Sequence, residues 1–375
     1  MKQAAPHTGG TQAFEHRPGR VPPPNGGRRR KGWNRRGPGR VQKSVKTLRG
    51  TTKNERQTLA RRCTAGELHR LHPNIYVPAA DWATLTETQK RRLRHLTAAD
   101  GRRDMVIVGR SAALVHGLDT IEPMPTDGHP APQWPVPPGD DVIELAHPTR
   151  RKFETRGTIH ESKLVWNPDQ VIVVDGRAVT SPGATIADIT RRHGFGAGLV
   201  AADSALRLGH SAIDLMRPAA LSPNPAAALR TVACASQFPD SAPESLLRAQ
   251  IIEAGLPAPE VQLRVFTADG IFIAQVDLAY AGWLLMVEVH GEAKFSGRYG
   301  DGQARSKYEW RRETEMLQKG LAVLRVTYPQ VVSGEGVRMV AEALERQRRA
   351  VAAGAVSSVR FVPAGRRWPK GFRMR

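Results

Sequence analysis

Between Val261 and Gly291 three apolar segments follow one another almost without a break: VQLRVFT, IFIAQVDLAY and WLLMVEVHG, separated by ADG and by AG. Segments this short, joined by links this short, pair as consecutive antiparallel strands. An amphipathic segment, PESLLRAQIIEAG, precedes them and is closed by Gly255. After a polar stretch at 292–306 come a helical segment, YEWRRETEMLQKG, a fourth strand, LAVLRVTY, and a helix from Gly334 to about Arg349. The order αβββαβα from Ser241 predicts a mixed sheet flanked by helices.

Two of these strands carry a carboxylate in an otherwise apolar run: Asp277 and Glu288. A carboxylate among Val, Leu and Met must be paired, protonated or metal-bound, because an isolated buried charge is too costly. Adjacent antiparallel strands bring the two side by side. His290 shares a face with Glu288 while Val289 points away. Lys294 follows just past Gly291, and Glu244, on the preceding helix, can add a third carboxylate. Such an oxygen-rich set suits Mg2+, or Mn2+ in its place. The metal would polarise a phosphodiester and lower the pKa of an attacking water, and the lysine would position that water or offset charge on the phosphorane. The same residues also fit a structural network in which Asp277 and Glu288 pair with Arg312 or Lys294.

The rest of the chain divides by composition. Of the 375 residues 56 are Lys or Arg and 35 are Asp or Glu, a formal net charge of +21. Residues 1–50 hold 13 of the basic residues against one acid, Glu15, and residues 360–375 hold six and none. The charge therefore belongs mostly to the two ends, and it favours a polyanionic partner, nucleic acid first. The segment RPGRVPPPNGGRRRKGWNRRGPGRVQK has too few aliphatic residues to bury and is expected to be a disordered arm, with Trp33 available to stack on a base. Cys63 and Cys234 are the only cysteines, which excludes a disulfide framework or a structural zinc cluster. No apolar run reaches membrane-span length, and the N-terminal residues lack an apolar signal core, so a soluble, cytoplasmic protein with no membrane partner is expected.

From Thr52, NERQTLARRCTAGELHRL has helical spacing at Leu59, Cys63, Leu68 and Leu71, followed by a short strand, NIYVP. A second helix, LTETQKRRLRHLTAA, is capped by Thr86 with Gln89 three positions on. Helix, strand and helix are compatible with a winged-helix remnant. Strands are expected at Asp104–Gly109, Asp141–Ala146, Gly157–Ser162 and Gln170–Asp175, a short helix at SAALVHG, and helices from Ser181 and from Gly196 to Leu208. Seven prolines at 121–140 mark a loop, and the Pro/Ala-rich 217–240 reads as a linker.

Taken together, SAPESLLRAQIIEAGLPAPEVQLRV, VDLAY, VEVHGEAKF, EWRRETEMLQKG and LAVLRVTY resemble the C-terminal domain of actinobacterial AbiEi-type antitoxin-like proteins. That domain is similar to the very-short-patch-repair endonucleases of the PD-(D/E)XK superfamily. NIYVP, SAALVHGL and GRAVTSPGATIADI resemble the N-terminal part of the same proteins, so the likeness runs from about 55 to 346. It implies the organisation 1–51 basic tail, 52–216 α+β domain with an insertion at 119–140, 217–240 linker, 241–350 endonuclease-like α/β domain and 351–375 basic tail. By position it implies Glu244, Asp277, Glu288, His290 and Lys294 as catalytic residues, Asp277 and Glu288 as the metal ligands, and Arg312, Arg311 and Glu313 as supports of the site or of nucleic acid. His290 replaces the family's usual acid and Trp310 a lysine. The activity implied is Mg2+-dependent DNA cleavage, DNA being favoured over RNA. The alternative is a non-catalytic DNA-binding antitoxin or repressor with a toxin partner, in which the carboxylates are structural. Oligomeric state is not legible.

Overall fold

The computed structural model describes residues 45–121, 142–149, 154–290 and 302–366. Among them the protein is a mixed α/β structure with three sheets and eleven α-helices.

The first sheet is small. β1 (Leu48–Arg49), β2 (Leu68–His72) and β3 (Ile75–Pro78) pair antiparallel in the order β1-β3-β2. Around them lie α1 (Lys53–Thr64), α2 (Ala79–Thr84) and α3 (Glu87–Thr97). α1 starts with a capping box between Thr52 and Glu55, and α3 with the expected one between Thr86 and Gln89. The helical spacing through Leu71 is a misreading. α1 stops at Thr64, Gly66 turns left-handed at φ +80°, and Leu68 is buried as the first residue of β2. A hairpin through Asn74, also left-handed at φ +63°, returns the chain into β3. The competing pattern won because a two-strand ladder buries Leu68, Ile75 and Val77 together, whereas α1 buries none of its residues.

The second sheet has the order β6-β7-β5-β4-β9-β8. Its strands are β4 (Val106–Ile107), β5 (Ile143–His147), β6 (Glu154–Arg156), β7 (Ile159–Lys163), β8 (Val171–Val174) and β9 (Arg177–Thr180). β4 with β9 and β5 with β7 are parallel pairs. The strand expected from Asp104 to Gly109 is cut to two residues, because Gly109 takes φ +55° and opens α4 (Gly109–His116). That conformation lets the buried Glu144 carboxylate receive the Arg110 N–H; a Cβ on Gly109 would collide with it. Burial alone would raise Glu144, but the His193 ring at 2.8 Å and nearby Arg110 outweigh it and hold the carboxyl down at about 2. Most of the proline-rich insertion, 122–141, lies outside the described residues.

α5 (Pro182–Arg207) is capped by Ser181 and breaks at Gly194, where φ is +87° and ψ 174°, giving the two helical halves expected from sequence. The expected linker at 217–240 is helical over much of its length. α6 (Ala212–Ala220) and α7 (Pro225–Ala233) pack on α5, and Leu215, Ala219, Ala228 and Val232 share a core with Ile186, Ile189 and Ala201.

The third sheet follows α8 (Ala242–Glu253). β10 (Glu260–Phe266), β11 (Phe272–Tyr280), β12 (Leu285–His290), β13 (Ala322–Thr327) and β14 (Arg360–Val362) take the order β13-β12-β11-β10-β14. β12 and β13 are parallel, which the intervening α9 (Gly302–Gln318) makes possible as a crossover. Leu278, Val287 and Val326 pack with Leu247 of α8 and with Val340 and Leu344 of α11 (Glu335–Ala352). On the opposite side Met286, Val265 and Val276 meet Met316 of α9. A short α10 (Tyr328–Val332) links β13 to α11. The expected tail at 351–375 is partly folded: α11 reaches Ala352 and β14 pairs with β10, while 367–375 lie outside the described residues.

α5 and α8 join the second and third layers. The fully buried Asp203 of α5 receives both oxygens' bonds from Arg248 Nη2 of α8, at 2.7 and 2.8 Å, and a third from Ser236 N at 2.8 Å. Burial raises the Asp203 carboxyl against the pull of Arg248. Arg248 also donates to Cys234 O at 2.7 Å. Arg248 stands one turn beyond Glu244 on the same helix.

Candidate active site where α8 meets β11 and β12

Ser241 caps α8, and its hydroxyl donates to Glu244 Oε1 at 2.7 Å. Asp240 N donates to Glu244 Oε2 at 2.9 Å. These bonds turn the Glu244 side chain back over the helix end, where it is only 5% exposed. Gln262 of β10 faces it. Its backbone is left-handed at φ +51°, a conformation costly for a non-glycine residue and often kept where a site needs it. Gln262 Nε2 donates to Glu244 Oε2 at 2.9 Å and to Asp277 Oδ1 at 3.3 Å. Gln275 Nε2 donates to Gln262 Oε1 at 2.6 Å, which fixes the amide with its nitrogen toward the carboxylates. Asp277 Oδ2 accepts from Val289 N at 2.8 Å, so this one side chain ties β10, β11 and β12 together.

Glu288 stands one step beyond the Leu278–Val287 pair of the β11–β12 ladder, level with Asp277. Its oxygens have other partners. Arg312 Nη2 of α9 donates to Oε1 at 2.5 Å, and His290 Nε2 lies 3.7 Å from Oε2. Arg325, the register partner of Glu288 on β13, is paired with Glu313. The expected residues are thus brought to one end of the sheet in two groups: Glu244 with Asp277, and Glu288 with Arg312 and His290. Arg311 is exposed, and Lys294 lies outside the described residues. Sequence reasoning missed Gln262 and Gln275, which read as ordinary polar positions of a strand. The only signal was a pair of glutamines flanking the Asp277 strand pairing.

The two groups differ electrically. Burial pushes Glu244 up to about 7, and the neighbouring Asp277 charge adds to the rise. Burial also acts on Glu288, but the His290 ring and the Arg312 guanidinium outweigh it and hold that carboxyl below its usual value. A divalent cation suits the first group, because a positive charge would offset both the burial of Glu244 and its repulsion from the half-buried Asp277. Among the described residues no three His, Cys, Asp or Glu side chains converge on one metal position. Glu244 and Asp277 would hold the ion, with Glu288 alongside.

Glu244 also sets a pH dependence. Its value is 4.5 when exposed and about 7 in the fold, so the protonated form stabilises the protein fully below 4.5. That contribution is lost as pH rises through 7, a fall of about 3 kcal/mol. Urea unfolding of Glu244→Gln is expected to lack this decline between pH 4.5 and 7.5; an unchanged decline would assign it to another group.

The fold and site thus define a mixed α/β protein of three sheets with a buried carboxylate cluster at the end of the third. No family model, curated protein or solved structure matches the chain. Among the described residues no helix is long and apolar enough to cross a membrane.

Proposed function

We propose that the protein is a Mg2+-dependent DNA endonuclease or nickase of the very-short-patch-repair-like type, acting in the cytoplasm. The observation that carries this reading is the Glu244–Asp277 pair, a buried and a half-buried carboxylate bridged by one glutamine amide at a sheet end. A fold with no use for a cation gains nothing from this repulsion. When bound, Mg2+ would polarise the scissile phosphodiester and lower the pKa of the attacking water. The chain's own residues have separate tasks. Ser241 and Asp240 N orient Glu244, and Gln262, locked by Gln275, sets its distance from Asp277. Glu288 borders the site, and His290, 3.7 Å from its Oε2, would serve as a ligand or base there. Plasmid nicking in Mg2+ or Mn2+ tests the reading; wild-type protein that cleaves neither DNA nor RNA in either metal overturns it.

A second reading is favoured by one observation. Arg312 already neutralises Glu288, as a structural network would. The protein would then be a DNA-binding antitoxin or repressor, and residues 45–103, with 13 basic and five acidic side chains, would supply a DNA-facing surface. Lys90 and Arg94 both lie over the Trp82 ring, at 5.4 and 5.3 Å, on that region. A footprint upstream of its own gene without cleavage, beside an adjacent toxin gene, supports this alternative.

Both readings use the basic ends. Residues 1–44 and 367–375 together carry 15 basic residues and one acid. Deleting them is expected to weaken DNA binding and flatten its salt dependence, because each phosphate contact contributes roughly 0.9 to the log–log slope. An unchanged slope, measured by fluorescence anisotropy against salt, would show that these ends do not contact phosphates. The deletion bounds follow the fold: β1 begins at Leu48 and β14 at Arg360.

A further inference from the structure

Two nitrogens beside Glu288 are enclosed and have no hydrogen-bond partner among the described residues: Arg312 Nε and His290 Nε2. Arg312 reaches Glu288 through Nη2 alone, and 3.7 Å is too long for a bond from His290. Buried donors are normally satisfied, so two orphans flanking one carboxylate call for an acceptor that the described residues do not supply. The acceptor has to reach an arginine fork and an imidazole together. A phosphodiester does so, since guanidinium binds carboxylate and phosphate with the same geometry.

We infer that Arg312 exchanges partners. Without substrate it rests on Glu288 and keeps that carboxylate from a cation. A substrate phosphodiester draws Arg312 away, takes His290 Nε2 as a second contact, and leaves Glu288 to complete the Glu244–Asp277 pair. The exchange rests on the cation-dependent reading proposed above. It is a side-chain movement: Glu313, the next residue, is paired with Arg325 of β13 and holds α9 in place. Cation and phosphate binding therefore favour each other, and by linkage equally in both directions. The device keeps the site uncharged with metal until nucleic acid is present.

The test is Mn2+ binding by the full chain, read by electron paramagnetic resonance with and without a cleavage-resistant phosphorothioate DNA duplex, after subtracting Mn2+ held by the duplex alone. In the wild type the duplex is expected to tighten Mn2+ binding by roughly tenfold, a typical coupling. Arg312→Gln is expected to bind Mn2+ without duplex about as tightly as the wild type does with it, and to gain no more from the duplex. Arg312→Lys, which keeps the charge on Glu288, is expected to behave as the wild type. A merely structural role predicts the opposite sign, weaker Mn2+ binding in Arg312→Gln. Should that variant fail to fold, the wild type decides: Mn2+ affinity unaffected by duplex overturns the exchange. Equal Mn2+ binding in all samples removes the exchange and leaves the cation site standing. No Mn2+ binding in any sample overturns the cation-dependent reading, and the exchange with it.

Discussion

Asp277→Asn is expected to lose Mg2+-dependent nicking by on the order of 10³-fold or more, the scale typical of losing a group that acts in the transition state. Asparagine keeps one oxygen for Val289 N, so the tie between β11 and β12 survives and thermal melting stays cooperative, while its NH2 replaces the oxygen that accepted from Gln262 Nε2. The charge and the 3.3 Å bond from Gln262 are removed. Asp277→Ala and Glu288→Ala are expected to be inactive too. The alanine variants lose hydrogen bonds as well, at about 1–3 kcal/mol for each group left unsatisfied. Nicking by Asp277→Asn at the wild-type rate would transfer the carboxylates to the structural reading.

The second large effect concerns stability. Asp203→Ala is expected to cost about 3–5 kcal/mol in urea unfolding, because it strands the Arg248 guanidinium in a buried position without its partner. The double variant Asp203→Leu with Arg248→Met is expected to recover most of that loss, since apolar replacement of a buried pair is often neutral. Additive losses in the double variant would show that the two side chains act independently. Because Arg248 shares α8 with Glu244, the single variant is also expected to weaken Mn2+ binding, which ties the carboxylate pair to the second layer of the protein.

The third sheet was the most legible part of the sequence. Its strands are apolar, its links are short, and α8 and α9 carry clear amphipathic spacing, so local pattern and tertiary burial agree. Around α1 they conflict. Leu68 and Leu71 fit a helical register with Leu59, and only the left-handed Gly66 and Asn74, together with the partner strand β3, decide for a hairpin. The 217–240 segment was obscured by its prolines. Pro218 lies inside α6 and Pro225 in the first turn of α7, where the missing N–H costs nothing. In the site, residue types were legible but their pairing was not. Which carboxylate meets which partner depends on the Ser241 cap, the left-handed Gln262 and the approach of α9, all set by backbone geometry that spacing does not encode.

β14 has a consequence for how the protein behaves in company. Without Arg360–Val362, β10 would present a row of unpaired N–H and C=O groups along the outer side of a sheet whose other strands are strongly apolar. Such a rim is a template for adding strands from other molecules. Arg264 secures the seal by donating to Pro363 O and Arg366 O. The end of the described chain therefore works as a selvedge, keeping a sticky sheet from self-association, and a protein shortened before Arg360 is the form in which to look for aggregation.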